Sequence, residues 1–209
     1  MNVLSNGLTV LSLFDGMSAG MIALERAGIV VDNYYASEVD KHAIKVSNAN
    51  YTGIIRIGDV TKVSYKDGVL YTESGELNVG KIDLLIGGSP CQSISNLGDG
   101  SGLEGKSGLF YHYLRIREEV KPTHFLLENV VGNKKAIQNI TEEVGVEPTL
   151  IDSNLVSAQN RKRYYWTDIV GVEQPNNLGI VLKDILEQSP GQSSVLSEGR
   201  LRWLLSEKG

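Results

Sequence analysis

Over roughly the first 170 residues, short apolar runs alternate with amphipathic stretches, and few folds accept that pattern. Each apolar run must be buried on both sides, while each amphipathic stretch covers it with one face. βαβ units around a mostly parallel sheet satisfy both demands. The pattern predicts strands over 8–14, 31–37, 54–57, 82–86, 124–127, 149–151 and 164–169. Helices are expected over 19–27, ended by Gly28, and over 40–50, with two more beginning near Ser107 and near Asn133. One segment breaks the rhythm. Asp67-Gly68 and Ser74-Gly75 are turn signals around Val69-Leu70-Tyr71, so residues 65–78 read as a small β-hairpin inserted in a crossover. Beyond Gly171 the alternation fades into a linker over 174–179 and short helical pieces over 180–187 and 198–206. The expected organisation is an α/β domain over 1–171, followed by a linker and short helices over 172–209.

A chain of 209 residues can bury a substantial core without staples. No apolar run approaches the roughly 18 residues needed to span a bilayer, and no charged-then-apolar leader opens the sequence. The single cysteine excludes an internal disulfide and a cysteine-rich zinc site. His42, His112 and His124 lack ligand spacing, so neither a metal nor a membrane is expected. A reducing cytoplasm is the expected compartment. The net charge of −5 argues against a surface that grips nucleic acid throughout, because phosphate contacts need clustered Lys and Arg. One local basic strip could still do so.

Phe14-Asp15-Gly16-Met17-Ser18-Ala19-Gly20 joins the first expected strand to the first helix. Ligands of open α/β sheets bind beyond the carboxyl ends of strands, where small residues let the backbone approach. Asp15 is suited to accept from a cationic amino group, and the helix N-terminus favours a carboxylate. A glycine-containing turn is equally compatible with plain turn chemistry. Glu38 sharpens the choice, because it ends the second strand about twenty residues after Asp15, where a ribose-binding carboxylate belongs. Asp59 follows the third strand, where it can accept from an exocyclic adenine amine. Either carboxylate alone could be a solvated loop end. Three at successive strand ends favour an adenosine-containing cofactor over a phosphate cradle, for which no G-x-x-x-x-G-K-[ST] pattern exists.

Gly87-Gly88-Ser89-Pro90-Cys91-Gln92 follows the most apolar strand. Pro90 fixes its own φ and restricts Ser89, so the backbone entering Cys91 is stiff. A lone cysteine is usually an inert buried hydrophobe. A glycine- and serine-rich strand end is a poor place to hide one, and a partly exposed cysteine near cations can act as a nucleophile. Position alone leaves both readings open. Glu128-Asn129-Val130 follows the next strand, and a carboxyl there would face the same crevice, as a general acid or as the holder of an amidine edge. Residues 96–105 have the composition of a mobile lid. Gln159-Asn160-Arg161-Lys162-Arg163 is the strongest basic cluster and directly precedes the aromatic strand Tyr164-Tyr165-Trp166.

These segments together resemble the C5-cytosine DNA methyltransferases. Phe14 to Gly20 is similar to the family's cofactor loop and Gly88-Ser89-Pro90-Cys91-Gln92 to its nucleophile loop. Glu128-Asn129-Val130 is similar to its glutamate motif, and Gln159-x-Arg161-x-Arg163 to its arginine motif, all in the family's order over about residues 8–170. Leu13-Phe14-Asp15-Gly16 and Ser157-Ala158 look especially like phage-type and animal de novo enzymes. The resemblance implies a Rossmann-like S-adenosylmethionine-dependent methyltransferase fold, a mostly parallel central sheet with helices on both faces. It makes residues 1–171 the catalytic domain, acting on double-stranded DNA in a bacterial or phage-infected cell.

The resemblance also implies roles for individual residues. Cys91 is the nucleophile toward a flipped cytosine and Glu128 the acid at ring nitrogen 3. Arg163 contacts the base O2, and Arg161 supports the loop and the cysteine. Phe14 packs on adenine, with Asp15, Gly16, Met17, Ser18, Val39, Val60 and Gly88 completing a cofactor site around Glu38 and Asp59. Some features depart from the family pattern. Ser18-Ala19 stands where many members have glycines, and Ile94 where an aromatic is common. Neither a target-recognition domain nor a late Gly-Asn-Ser/Ala-Val segment is found, so a C-terminal recognition domain or partner subunit is expected to complete the enzyme. The alternatives are a catalytic subunit of a split methyltransferase and a non-catalytic regulatory homologue. Intact Cys91, Glu128, Arg161 and Arg163 speak against the second.

Overall fold

A computed structural model describes residues 7–90, 108–132 and 134–186. The chain divides into a larger unit, Met1–Asp152 with Lys162–Gln174, and a smaller one, Ser153–Arg161 with Pro175–Gly209. In chain order the strands are β1 (Leu8–Leu13), β2 (Val31–Ser37), β3 (Ile54–Gly58), β4 (Ser64–Lys66), β5 (Val69–Thr72), β6 (Gly75–Asn78), β7 (Leu84–Gly87), β8 (His124–Val130), β9 (Thr149–Asp152) and β10 (Lys162–Thr167). The helices of the larger unit are α1 (Ala19–Arg26), α2 (Lys41–Asn50), α3 (Gly108–Val120) and α4 (Lys134–Val144).

Seven strands form the main sheet in the order β3-β2-β1-β7-β8-β10-β9. The first five are mutually parallel, whereas β10 runs antiparallel to both β8 and β9. Strand alternation sorts the core onto two faces. Leu11, Leu13, Leu85, Phe125 and Leu127 meet Phe110, Tyr113, Ile116 and Val120 of α3 and Ala136, Ile140 and Val144 of α4. Those helical positions recur every three or four residues, the spacing of one buried stripe. Val10, Leu84 and Ile86 point the other way, against Met21 and Leu24 of α1. This is the expected Rossmann-like α/β fold, mostly parallel, with helices on both faces. The α3–α4 side is further tied by Arg117, whose guanidinium lies 3.8 Å over the Phe125 ring and donates to the Val144 carbonyl at 2.9 Å. Trp166 is fully buried there, its indole N–H donating to Thr141 Oγ1 at 3.0 Å.

Four expectations shift in detail. β1 stops at Leu13 because Phe14 turns left-handed, with φ 57°. β8 continues through Glu128, Asn129 and Val130 instead of ending at Leu127, because β10 keeps pairing with it after β7 has stopped at Gly87. β10 begins at Lys162 and ends at Thr167, where Asp168 folds back to accept from Phe125 N at 2.9 Å. The inserted hairpin is a three-stranded meander, β4-β5-β6, since each of its two turn signals reverses the chain once. It is fastened to α3 by Tyr65 N donating to Glu119 at 2.8 Å and by Arg115 donating to the Val63 carbonyl at 2.7 Å.

In the smaller unit, a 3-10 helix at Ser153–Leu155 accepts from Leu178 N at 2.7 Å, and a short helix α5 (Leu182–Ile185) starts where Asp184 accepts from Val181 N. The helical piece expected over 198–206 lies outside the described residues. Among the described residues no helix is long and apolar enough to cross a membrane, and no group of three or more His, Cys, Asp or Glu could hold a metal.

Candidate active site

From β1 the chain builds outward through β2 to β3, then crosses back to lay β7 on the opposite side of β1. That reversal opens a crevice at the carboxyl ends of β1 and β7, the usual ligand position in open α/β sheets. The register puts Gly58, Ser37, Leu13, Gly87 and Leu127 side by side in one row across five strands. The next residue along each strand is Asp59, Glu38, Phe14, Gly88 and Glu128. Five expected site residues therefore share one rim. Cross-links stitch it together: Asp15 N donates to the Ser37 carbonyl at 3.0 Å, and Ser37 Oγ to the Gly58 carbonyl at 2.8 Å.

At the β2 end, Glu38 Oε1 accepts from Val39 N and Asp40 N, each at 2.8 Å, and Oε2 from Gly16 N at 2.7 Å. A carboxylate offers about four acceptor positions, so Glu38 is pinned by the backbone with one position left at Oε2 among the described residues. Asp59 caps the short 3-10 helix Val60–Lys62 by accepting from Thr61 N at 2.9 Å through Oδ1, and Oδ2 accepts no hydrogen bond among the described residues. Met17 and Val39 are exposed apolar side chains on this rim, while Phe14 packs partly against the core.

Three expected cofactor residues have their side chains turned inward. Asp15 is buried, and its acceptor positions are filled by Ser12, Tyr34, Ser18 and Arg56, so its side chain cannot accept from a ligand's amino group in this geometry. Ser18, also fully buried, stands at the N-cap of α1 yet makes no side-chain cap, because its hydroxyl is engaged with Asp15 and Ser47. Val60 is 4% exposed and its side chain belongs to the core. What these three offer a ligand is backbone.

At the reaction end, Glu128 pairs directly with Tyr165 across the antiparallel β8–β10 ladder. Arg163, two residues from Tyr165, is thus the diagonal neighbour on the same face. Its Nε lies 2.9 Å from Glu128 Oε1, without the alignment of a linear hydrogen bond, while its Nη1 donates to the Lys162 carbonyl at 2.7 Å. Glu128 leans over Gly88. A Cβ on Gly88 would stand 2.9 Å from Glu128 Oε2 and 3.4 Å from its carbonyl, so only glycine lets the carboxylate lie there.

Asn129, 1% exposed, donates to the Ser89 carbonyl at 3.2 Å and lies 3.3 Å from Ser89 Oγ, tying the segment that follows β7 to β8. Cys91 and the lid-like stretch over 96–105 lie outside the described residues. Arg161 belongs to the smaller unit, where its carbonyl accepts from Ser153 N at 3.0 Å. Only the fold reveals Asn129 as the anchor of Ser89, and Tyr34, Ser47 and Arg56 as partners of the Phe14–Ser18 loop. Arg56 carried a signal, a cation inside the apolar run Ile54-Ile55-Arg56-Ile57.

The chain matches the family model of the C-5 cytosine-specific DNA methylases over residues 8–207. It is 34% identical over 211 residues to the orphan methyltransferase M.Rho11sI of Bacillus phage rho11s, covering 93% of this chain and 38% of that protein. It is 33% identical to the orphan methyltransferase M.SPRI of Bacillus phage SPR, with coverages of 87% and 43%. To the type II methyltransferase M1.ScrFI of Lactococcus lactis subsp. cremoris it is again 33% identical, with coverages of 79% and 41%. A crystal structure of an E. coli prophage protein, described as a DNA modification methyltransferase, superposes with a TM-score of 0.58 at 27% identity, over 77% of this chain and 46% of that one. The chain spans about two fifths of the length of these curated relatives. By sequence match over nearly its whole length, it belongs to the C-5 cytosine-specific DNA methylase family.

Proposed function

We propose that this chain supplies the catalytic and cofactor-binding part of a DNA (cytosine-5-)-methyltransferase, transferring a methyl group from S-adenosylmethionine to carbon 5 of a cytosine flipped out of double-stranded DNA. The observation that carries this reading is the single rim on which Asp59, Glu38, Phe14, Gly88 and Glu128 follow one another across five strands. The residues present fit the cofactor. Glu38 keeps one acceptor position for a ribose hydroxyl, Asp59 keeps Oδ2 for the adenine amine, and Phe14, Met17 and Val39 offer apolar surface. When bound, S-adenosylmethionine supplies the electrophilic methyl group that carbon 5 takes up.

The chain's own residues do the rest. The Cys91 thiolate forms a bond to carbon 6 of the flipped base, while Glu128 protonates ring nitrogen 3, so the electron pair of the 5,6 double bond is delivered toward carbon 5. After methylation, water takes the carbon-5 proton and Glu128 takes back the proton from ring nitrogen 3, so the 5,6 double bond reforms and Cys91 leaves as thiolate. Arg163, already beside Glu128, contacts the base O2, and Arg161 supports the nucleophile loop. Both arginines of the strongest basic cluster, Arg161 and Arg163, are thereby assigned to the site, while Lys162 pairs with Asp152 instead. Target reading is assigned to a C-terminal recognition domain or partner subunit.

Glu38→Ala tests the cofactor site. Calorimetric titration with S-adenosylhomocysteine should show binding weakened by about 1–3 kcal/mol, the loss of hydrogen bonds to a charged acceptor. Equal affinity in the variant would remove Glu38 from the ribose site.

A further inference from the structure

Beneath the rim lies a polar cluster around Asp15 and Ser18, three members of which, Ser12, Tyr34 and Arg56, have no role assigned above. The Asp15 side chain has 0% exposure. Its Oδ1 accepts from Ser12 Oγ and Tyr34 OH, each at 2.8 Å, and its Oδ2 from Ser18 Oγ and from Arg56 Nη1 at 3.1 Å. Arg56 also donates to Ser47 Oγ and, at 3.2 Å, to Asn48 Oδ1. Burial first, and then the Asp15 charge, push the Tyr34 phenol well above its usual range, so Tyr34 stays a donor. Strands β1, β2 and β3 and the start of α1 all converge on one carboxylate, and α2 buttresses it indirectly through Ser47, which bonds Ser18 and Arg56. Three of its donors are neutral. Arg56, 21% exposed, is the only cation paired with it among the described residues, and a buried carboxylate without a cation is costly.

The loop above is strained in a way that needs such an anchor. Phe14, Gly16 and Ser18 have φ of 57°, 59° and 63°. Left-handed backbone at non-glycine residues persists only where the surroundings over-determine it. Asp15 grips the loop twice, with its carbonyl accepting from Ser18 N at 3.0 Å and its carboxylate from the Ser18 hydroxyl. The resulting shape presents Gly16 N to Glu38.

We propose that Arg56 is a positioning residue for the cofactor loop, acting through the buried Asp15 carboxylate to fix Phe14 to Ser18 in their ligand-ready conformation. The inference rests on the cofactor reading above for its consequence, though not for its geometry. Two measurements on the same proteins keep the two apart: calorimetric titration with S-adenosylhomocysteine, and amide hydrogen exchange over residues 14–20 without ligand.

Arg56→Met should weaken binding roughly tenfold or more and speed loop exchange by a similar factor, as expected for loss of a charged hydrogen bond. Exchange across β8 and β10 should not change. Arg56→Lys, which restores the cation, should recover most of both. Tyr34→Phe, which removes one neutral donor, should shift both in the same direction by a smaller factor, and it carries the test if Arg56→Met does not fold. Binding and loop exchange unchanged in Arg56→Met would overturn the proposal, as would protection lost equally in β8 and β10. No binding by the wild-type protein would refute the cofactor reading itself. Faster loop exchange in Arg56→Met would even then support Arg56 as the loop's anchor, and unchanged exchange would overturn it.

Discussion

Replacing Cys91 with serine is expected to abolish methyl transfer, lowering the single-turnover rate by roughly four orders of magnitude or more while leaving cofactor affinity within about twofold. A serine hydroxyl is far less acidic than a thiol and is a much weaker nucleophile without a dedicated base. None of the rim residues adjoining the loop offers an obvious base for it, since Asn129 is spent on Ser89 and Glu128 faces Arg163. Duplex DNA carrying 5-fluorocytosine separates chemistry from binding. Fluorine cannot leave as the carbon-5 proton does, so the wild-type protein should remain covalently attached through Cys91. An adduct that peptide mapping places on any other residue would remove Cys91 from the mechanism.

Glu128→Gln is the second large effect, an expected loss of about 10²–10⁴ in the methylation rate, the usual worth of a positioned general acid. The amide keeps the size of the side chain over Gly88 but cannot deliver a proton to ring nitrogen 3. Cofactor binding should survive, because Glu38 and Asp59 lie on the far side of β1 from β8. A rate within about tenfold of wild type would show that another group supplies the proton.

The two ends of this site were legible in the sequence to different degrees, for physical reasons. A strand-end residue in a parallel sheet is marked by where an apolar run stops, so Glu38, Asp59 and Gly88 could be placed from composition alone. Their meeting on one rim could not, because it depends on strand order and register, and those depend on contacts between distant segments. β8 shows the limit. Its apolar run ends at Leu127, but the ladder with β10 carries the strand on to Val130, so Glu128 sits within a strand and meets Arg163 diagonally. Asp15 shows another. An acidic residue in a glycine-containing turn reads as a ligand group, and only the three-dimensional fold reveals four donors already converging on it. Arg56 was visible as a cation in an apolar strand, yet its partner lies 41 residues earlier in the chain. The inserted meander needed only a count of reversals, since two turn signals make three strands.

Transfer of an isotope-labelled methyl group from S-adenosylmethionine to duplex DNA reads the proposed reaction itself. The protein is assayed alone and in the presence of the recognition region of a phage relative, and the DNA is digested to nucleosides for mass spectrometry. Label is expected on carbon 5 of cytosine, strongest with the recognition region supplied and absent with Cys91→Ser. Label on an exocyclic nitrogen of adenine or cytosine, or carbon-5 methylation undiminished in Cys91→Ser, would contradict the proposed reaction.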